Sequence, residues 1–335
     1  MLADDLLRSA PAQTWLVTGA AGFIGSHLVE ALLAAGQRVV GLDNYATGHR
    51  ANVEAAGCAG ADRFRMVEGD IRDPDACREA VAGADVVLHQ AALGSVPRSI
   101  ADPLATDAVN VHGFLNVAWA AKETGVSRMV YASSSSVYGD HPALPKVEAE
   151  VGTPLSPYAV SKKADELYAR AFADHYGMGM VGLRYFNVFG PRQDPDGPYA
   201  AVIPRWFDAL ADGRPCTIYG DGETSRDFCY VANVVQANLR AAVTPGASGV
   251  YNVAFGDRTT LNELYAAIRD RVAERRPEVE RLDPVYADFR PGDVRHSLAD
   301  VSRARRDLGY APTHSAARGL TEAADWYLRH AAATP

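Results

Sequence analysis

Tyr158 and Lys162 stand four residues apart in Tyr158-Ala-Val-Ser-Lys162, directly after the helix-start signal Ser156-Pro157. On a helix that spacing puts both side chains on one face. A phenol ionises near pH 10 and is a poor base at neutrality. An ammonium beside it favours the phenolate, so the pair reads as a general base. Lowering a phenol to ~7 takes ~4 kcal/mol of differential stabilisation, within reach of two positive charges in a dry cleft. The four lysines are Lys122, Lys146, Lys162 and Lys163 among 33 basic residues, and with 15 tyrosines only about 0.2 such pairs arise by chance. Taken alone, the pair could still be an exposed helical tyrosine and lysine.

A second polar group lies upstream. The run Val130-Tyr-Ala-Ser-Ser-Ser-Ser-Val-Tyr-Gly139 leaves an apolar strand and opens into serines. In doubly wound sheets the carboxyl ends of strands carry the site, so these hydroxyls are placed to meet a substrate hydroxyl. A plain loop is the other reading. A serine hydrolase is excluded, because no Gly-x-Ser-x-Gly elbow occurs.

The elements that must position these groups begin at Thr14-Trp-Leu-Val-Thr-Gly-Ala-Ala-Gly-Phe-Ile-Gly25. A short apolar run ends in Gly19, Gly22 and Gly25, and an amphipathic segment follows. Glycine permits a tight turn and close approach to a pyrophosphate, and the helix N-terminus offers N–H groups and a positive dipole end. The next apolar run, Arg38 to Leu42, ends in Asp43, 18 residues beyond Gly25. A dinucleotide-binding unit needs a carboxylate at such a spacing for the adenosine ribose. That carboxylate would repel a 2′-phosphate, so NAD is expected rather than NADP. A bound cationic nicotinamide would supply the second charge that favours the Tyr158 phenolate.

With 335 residues, 48% hydrophobic and 22% charged, the chain reads as globular, of two lobes or one large α/β domain. No apolar run approaches the ~20 residues of a membrane helix. The segment MLADDLLRSAPAQ has two acids and no basic n-region, so it reads as a frayed leader rather than a signal peptide. Cys58, Cys77, Cys216 and Cys229 lack paired spacing, which argues against a disulfide framework or zinc and fits a cytoplasmic location. No metal pattern is found among nine histidines, and His27 and His89 read as structural. Net charge is −8 without a basic run, which excludes nucleic acid as the expected partner.

Strands are predicted over 14–18, 38–42, 63–67, 84–89, 128–132 and 180–184, and helices over 24–35, 74–81, 103–123 and 157–176. That alternation predicts an α/β, Rossmann-type, doubly wound parallel sheet with a smaller α/β C-terminal lobe. From Asn187 the Pro/Gly-rich stretches FGPRQDPDGPYAAVIP and YGDGETSRDF mark the chain leaving the first domain. Gly249–Val253 is expected to return as a last strand. The boundaries expected are 1–186 plus about 229–255 for NAD, and 187–228 plus 256–335 for substrate.

The glycine triplet, Asp43, the serine-rich strand end and Tyr158/Lys162 together resemble the extended short-chain dehydrogenase/reductase family, in particular its nucleotide-sugar 4-epimerases. Gly69-Asp-Ile-Arg72, His89-Gln-Ala-Ala92, Leu183-Arg-Tyr-Phe-Asn-Val-Phe-Gly190 and Asp221-Gly-Glu-Thr-Ser-Arg-Asp-Phe228 extend the likeness over nearly the whole chain. AALGSVPRS, YGDHPALPKVE, YAAVIP and RPGDVRHS are similar to the bacterial UDP-N-acetylglucosamine 4-epimerase group. The resemblance implies Ser134, Tyr158 and Lys162 as catalytic. It implies NAD contacts from Gly19, Gly22, Phe23, Ile24, Gly25, Asp43, Asn44, Asp70, Ile71, Gln90, Ala91, Ala92, Asn110, Lys162 and Tyr185. It implies a UDP-sugar held by Ser95, Ser134, Ser135, Ser136, Tyr158, Asn187, Ala201, Val202, Tyr219, Arg226, Arg290, Asp293 and Ser297. Within that set, Tyr219 would lie against uracil, Arg226 and Arg290 would meet phosphate, and Asp293 the uridine ribose.

Departures from related patterns narrow the reaction. The family's 4,6-dehydratases carry Asp-Glu directly after their catalytic Thr, whereas Ser135 and Ser136 follow Ser134 here. What remains is 4-epimerisation by transient oxidation, rotation of a 4-keto sugar and return of the hydride. Galactose-type relatives restricted to non-acetylated sugars carry a bulky aromatic at the position of Ser297, so this serine, with small Ala201 on the same wall, would admit a 2-N-acetyl group. Ser297 could equally be only a turn start. A 6-carboxylated sugar met by Arg98 or Arg192, UDP-glucose, and a net oxidoreductase are the other readings. The resemblance also implies a homodimer pairing 103–123 and 157–176 in a four-helix bundle, although their apolar stripes could pack within one chain.

Overall fold

The computed structural model describes Leu7 and residues 11–57, 60, 62–194, 201–289 and 295–331. Seven strands form its main sheet: β1 Thr14–Thr18, β2 Arg38–Asp43, β3 Phe64–Glu68, β4 Val86–His89, β5 Arg128–Ser134, β6 Gly179–Tyr185 and β7 Gly249–Val253. Their order is β7-β6-β5-β4-β1-β2-β3, with every pairing parallel. The order reverses between β1 and β4, the crevice where such sheets bind ligands. Strands buried on both faces read as continuous apolar runs, which is why β1 and β4 were legible. One apolar cluster fills each face of the sheet, Leu28, Val130 and Val253 belonging to one, Leu16, Phe114 and Met129 to the other.

Local signals set the helices. Ser156 accepts from Ala159 N at 3.1 Å and Pro157 occupies the first turn of Pro157–Tyr176, which ends at left-handed Gly177. Asp73 caps Pro74–Val81 in the same manner. The helix expected as one piece over 103–123 is Pro103–Asp107, a π-turn Ala108–His112 and Gly113–Glu123. A wider turn there re-aims the side chains that follow it, and Asn110 sits in its middle.

A third cluster, including Phe189, Trp206, Phe207, Ile218, Leu264, Leu320 and Tyr327, builds the second lobe. Ala299, Val301, Ala304, Leu308 and Tyr310 pack instead with the first cluster, so the chain touches the sheet side once more near its end. The segment expected to be a frayed leader contributes Leu7 to the same core: Leu7 is buried, and Gln37 Nε2 donates to its carbonyl at 3.1 Å. Burial of one leucine and a satisfied carbonyl fix that point of the chain. Among the described residues no helix is long and apolar enough to cross a membrane.

Candidate active site

A cleft of about 580 Å³ opens at the carboxyl ends of β1, β2, β4, β5 and β6. Gly19 begins it with φ +68°, and an added Cβ would lie 2.8 Å from Ala91 N, so glycine is required. The helix Phe23–Ala34 follows, capped by Gly22 without a side chain, which leaves its first turn open to an anion. Gly25 passes so near the Gly19 carbonyl that a side chain there would overlap it. At the end of β2, Asp43 accepts from Ala21 N (2.9 Å) and Tyr45 N (2.8 Å), which sets its carboxylate at the cleft wall. Asp70 accepts from Asn44 Nδ2 at 2.8 Å, and the Arg72 guanidinium beside it holds its carboxyl down at about 2.

Beneath the opposite end, Thr18 Oγ1 meets both His89 Nδ1 (2.8 Å) and Ala91 N (3.2 Å). Burial, and then the Lys162 charge, push His89 down to about 3, so its imidazole stays neutral. Tyr185 donates to Gln90 Oε1 (2.9 Å), Gln90 Nε2 to Asn238 Oδ1 (3.0 Å) and Asn238 Nδ2 to the Tyr185 hydroxyl (2.8 Å), a closed ring at the floor. Ser134, Tyr158 and Lys162, from a strand end and a helix start far apart in sequence, line this one cleft. The helix that carries Tyr158 and Lys162 is tied down by Glu166, which accepts from Arg184 at 2.8 and 2.9 Å and from Ser133 at 2.7 Å.

A second cavity of about 590 Å³ shares Asn187 with the first and is lined by Val202, Tyr219 and Arg226. Arg205, Arg214, Phe289 and Arg295 also face it. Arg295 stacks 3.6 Å from the Phe289 ring centre, while Arg214 is paired with Asp208 and Asp212.

With this geometry in place, the NAD dependent epimerase/dehydratase family matches residues 15–254. The chain belongs to that family. It is 40% identical to the UDP-glucose 4-epimerase of Mycolicibacterium smegmatis over 93% of this chain and 97% of the relative. The UDP-N-acetylglucosamine 4-epimerase of Methanobrevibacter ruminantium, solved with UDP-N-acetylmuramic acid, superposes with TM-score 0.89 at 38% identity, covering 96% of this chain and all of that one (100%). Thermus thermophilus UDP-glucose 4-epimerase, solved with NAD, gives TM-score 0.82 at 35% identity over 94% and 98%. This epimerase/dehydratase family member is an NAD enzyme of the nucleotide-sugar 4-epimerase class. Its first cleft fits the cofactor: a side-chain-free cradle at a helix N-terminus for pyrophosphate, with a carboxylate one strand away for ribose.

Phe23, Ile24, Ile71, Ala91 and Ala92 also line the first cleft. Asn110 does not. Buried behind the cleft, it accepts from Leu93 N (2.7 Å) and donates to Leu93 O (3.2 Å) and Ser161 Oγ (3.0 Å), holding the wall rather than facing inward. Ser95 caps the helix Val96–Ala101, and Ser135, Ser136, Ala201 and Ser297 line neither cavity. Ser297 N donates to Ser225 O at 3.0 Å beside the second cavity's strands. Arg290 and Asp293 lie outside the described residues. Arg192 is paired with Glu30 on the glycine-loop helix and lines neither cavity, which weakens it as a partner for a sugar carboxylate.

Sequence reading missed Asp165, the Thr18–His89 pair, Asn238, and the second-cavity arginines Arg205, Arg214 and Arg295. The spacing Lys162 to Asp165 was the only available signal; the others meet the site from remote segments. Among the described residues no metal-ligating cluster occurs, and Cys77, Cys216 and Cys229 are free and buried.

Proposed function

We propose that this nucleotide-sugar 4-epimerase interconverts UDP-N-acetylglucosamine and UDP-N-acetylgalactosamine. The observation that carries the chemistry is the convergence of Ser134, Tyr158 and Lys162 on the cleft that continues, through Asn187, into an arginine-lined cavity. Gly19, Gly22, Gly25, Asp43, Asp70 and Tyr185 would hold NAD, which when bound would supply a reversible hydride acceptor for C4 of the sugar. Tyr158 accepts the O4 proton and later returns it, while Ser134 bridges between the hydroxyl and the phenol. Lys162 supplies the positive charge that favours the phenolate. Asn187, Tyr219 and Arg226 hold the UDP, with Arg290 and Asp293 assigned to phosphate and ribose on the sequence resemblance alone. A firm grip on the nucleotide and a loose one on the sugar let the 4-keto ring turn over. Without an acid after Ser134, water elimination lacks its proton donor.

The N-acetyl preference is assigned to the small Ser297 on the sequence resemblance alone. The second lobe serves the substrate within the proposed division 1–186 with about 229–255 for NAD and 187–228 with 256–335 for UDP-sugar, the stretch 299–310 lying on the sheet side. We propose a homodimer as well. Leu104, Val160, Leu167, Tyr168 and Tyr176 stand exposed on the two helical segments assigned to the dimer face.

The test is NMR of purified protein with UDP-N-acetylglucosamine, UDP-glucose and UDP-N-acetylglucosaminuronate in separate tubes without added cofactor. Fastest conversion of the first supports the proposal. Faster conversion of UDP-glucose or the acid moves the substrate and keeps the chemistry. In a parallel tube supplied with NAD, its stoichiometric consumption would place the chain among net oxidoreductases.

A further inference from the structure

One turn beyond Lys162 on its helix lies a buried carboxylate that the reaction as described does not use. Lys162 Nζ donates to Asp165 Oδ2 at 3.2 Å, and the two side chains are only 2% and 1% exposed. They sit one turn apart on Pro157–Tyr176, near the helix start that also carries Tyr158. The remaining oxygen, Asp165 Oδ1, is buried without a protein partner. An ammonium has three donors; with one given to Asp165, two are left for the cleft that Lys162 lines.

Burial without a compensating charge drives a lysine toward its neutral form, and a neutral amine cannot favour a phenolate. We propose that Asp165 is a positioning residue of this active site, a buried counter-ion that keeps Lys162 protonated and aims its ammonium at the cleft. This rests on the role given above to Lys162.

The surroundings leave Asp165 as the carboxylate available for that task. Glu166, the next residue, is committed to Arg184 from β6, to Ser133 from β5 and to Lys163. His89 from β4 faces Lys162 as a neutral imidazole and does not compete for the carboxylate. Burial, and then the charges of Glu166 and Asp165, push the phenol of Tyr131 from β5 well above the usual value, so it carries no charge. Tyr158 stands on the same helix at the cleft. Burial raises Asp165 to about 6 while Lys162 pulls it down, so the pair is intact at neutral pH and is lost under acid.

The test uses full-length holoenzyme. Asp165→Asn keeps the shape and removes the charge. At pH 8 its kcat is expected to fall at least about tenfold with KM for UDP-sugar within about twofold, and the alkaline limb of the kcat–pH profile to move down by about one unit or more, because Lys162 surrenders its proton sooner. Asp165→Glu restores part of the turnover. In a Lys162→Met background, where burst formation of bound NADH is read at single turnover, adding Asp165→Asn costs less than about twofold, since Asp165 acts through Lys162. An active Asp165→Asn enzyme with an unchanged pH profile, or a full additive loss in the Lys162→Met background, overturns the proposal. If Asp165→Asn does not fold, the double variant decides: folding restored when neither charge is buried alone supports a counter-ion, and failure in both leaves only packing. Wild-type protein with no turnover of any UDP-sugar removes the functional reading and this proposal together.

Discussion

Tyr158 carries a group whose loss should stop chemistry without disturbing the fold, because Tyr158 lines a cleft and belongs to none of the buried core clusters. Tyr158→Phe is expected to lower kcat by ~10²–10⁴, the usual worth of a positioned general base, with bound NAD and melting temperature retained. Turnover within a factor of a few of wild type would remove the base assignment. Ser297 is expected to act on selectivity rather than rate. Ser297→Tyr should reduce kcat/KM for UDP-N-acetylglucosamine at least ~10-fold relative to UDP-glucose, because a clash discriminates better than a missing contact. Equal losses on both sugars would show that the wall lies elsewhere.

At the scale of elements, the glycine turn and its helix form a unit that cannot accept a side chain. Gly25→Ala should yield protein with little bound NAD, read from the ultraviolet ratio of purified enzyme, since the new methyl meets the Gly19 carbonyl. The same helix is tethered to the second lobe by His27, whose Nε2 meets the Pro191 carbonyl at 2.9 Å. Burial, and then the Arg192 charge, hold His27 down at about 4, below its ordinary 6.5. A depressed folded value means the stabilisation is present above pH 6.5 and lost as pH falls toward 4. For this one group the loss by pH 5 is about 2 kcal/mol. Denaturant unfolding of wild type and His27→Gln at pH 7 and 5 should differ by that amount; parallel curves would contradict a buried neutral imidazole.

For the molecule as a whole, the exposed face proposed above for a homodimer is formed by Leu104 (82% exposed) and Leu167 (62%), with Val160 and Tyr168 on the same helix as the latter. Side chains of that size are costly to leave in water. Leu104→Lys with Leu167→Glu should convert a dimer to a monomer in sedimentation at micromolar concentration. A monomeric wild type would show that the face serves something else.

Most strands and the main helices were legible because their determinants are local: apolar runs buried on both faces of a parallel sheet, Pro and Ser at helix starts, glycines where the backbone turns left-handed. The NAD cradle could be read for the same reason, since Gly19 to Gly25 and Asp43 belong to one βαβ unit. Tyr158 and Lys162 gave themselves away by helical spacing. Tertiary structure alone decided what arrives from elsewhere. Asn110, in the middle of a π-turn, is held by Leu93 and Ser161, partners that no sequence window places beside it. Arg192 is spent on Glu30, while Arg205, Arg214 and Arg295 come together from segments up to 90 residues apart. Leu7, read as part of a loose leader, is buried in the core, and its carbonyl accepts from Gln37 Nε2. Short-range pattern fixes an element and the residues it carries; which of its faces meets a ligand depends on long-range packing, and no local window contains that information.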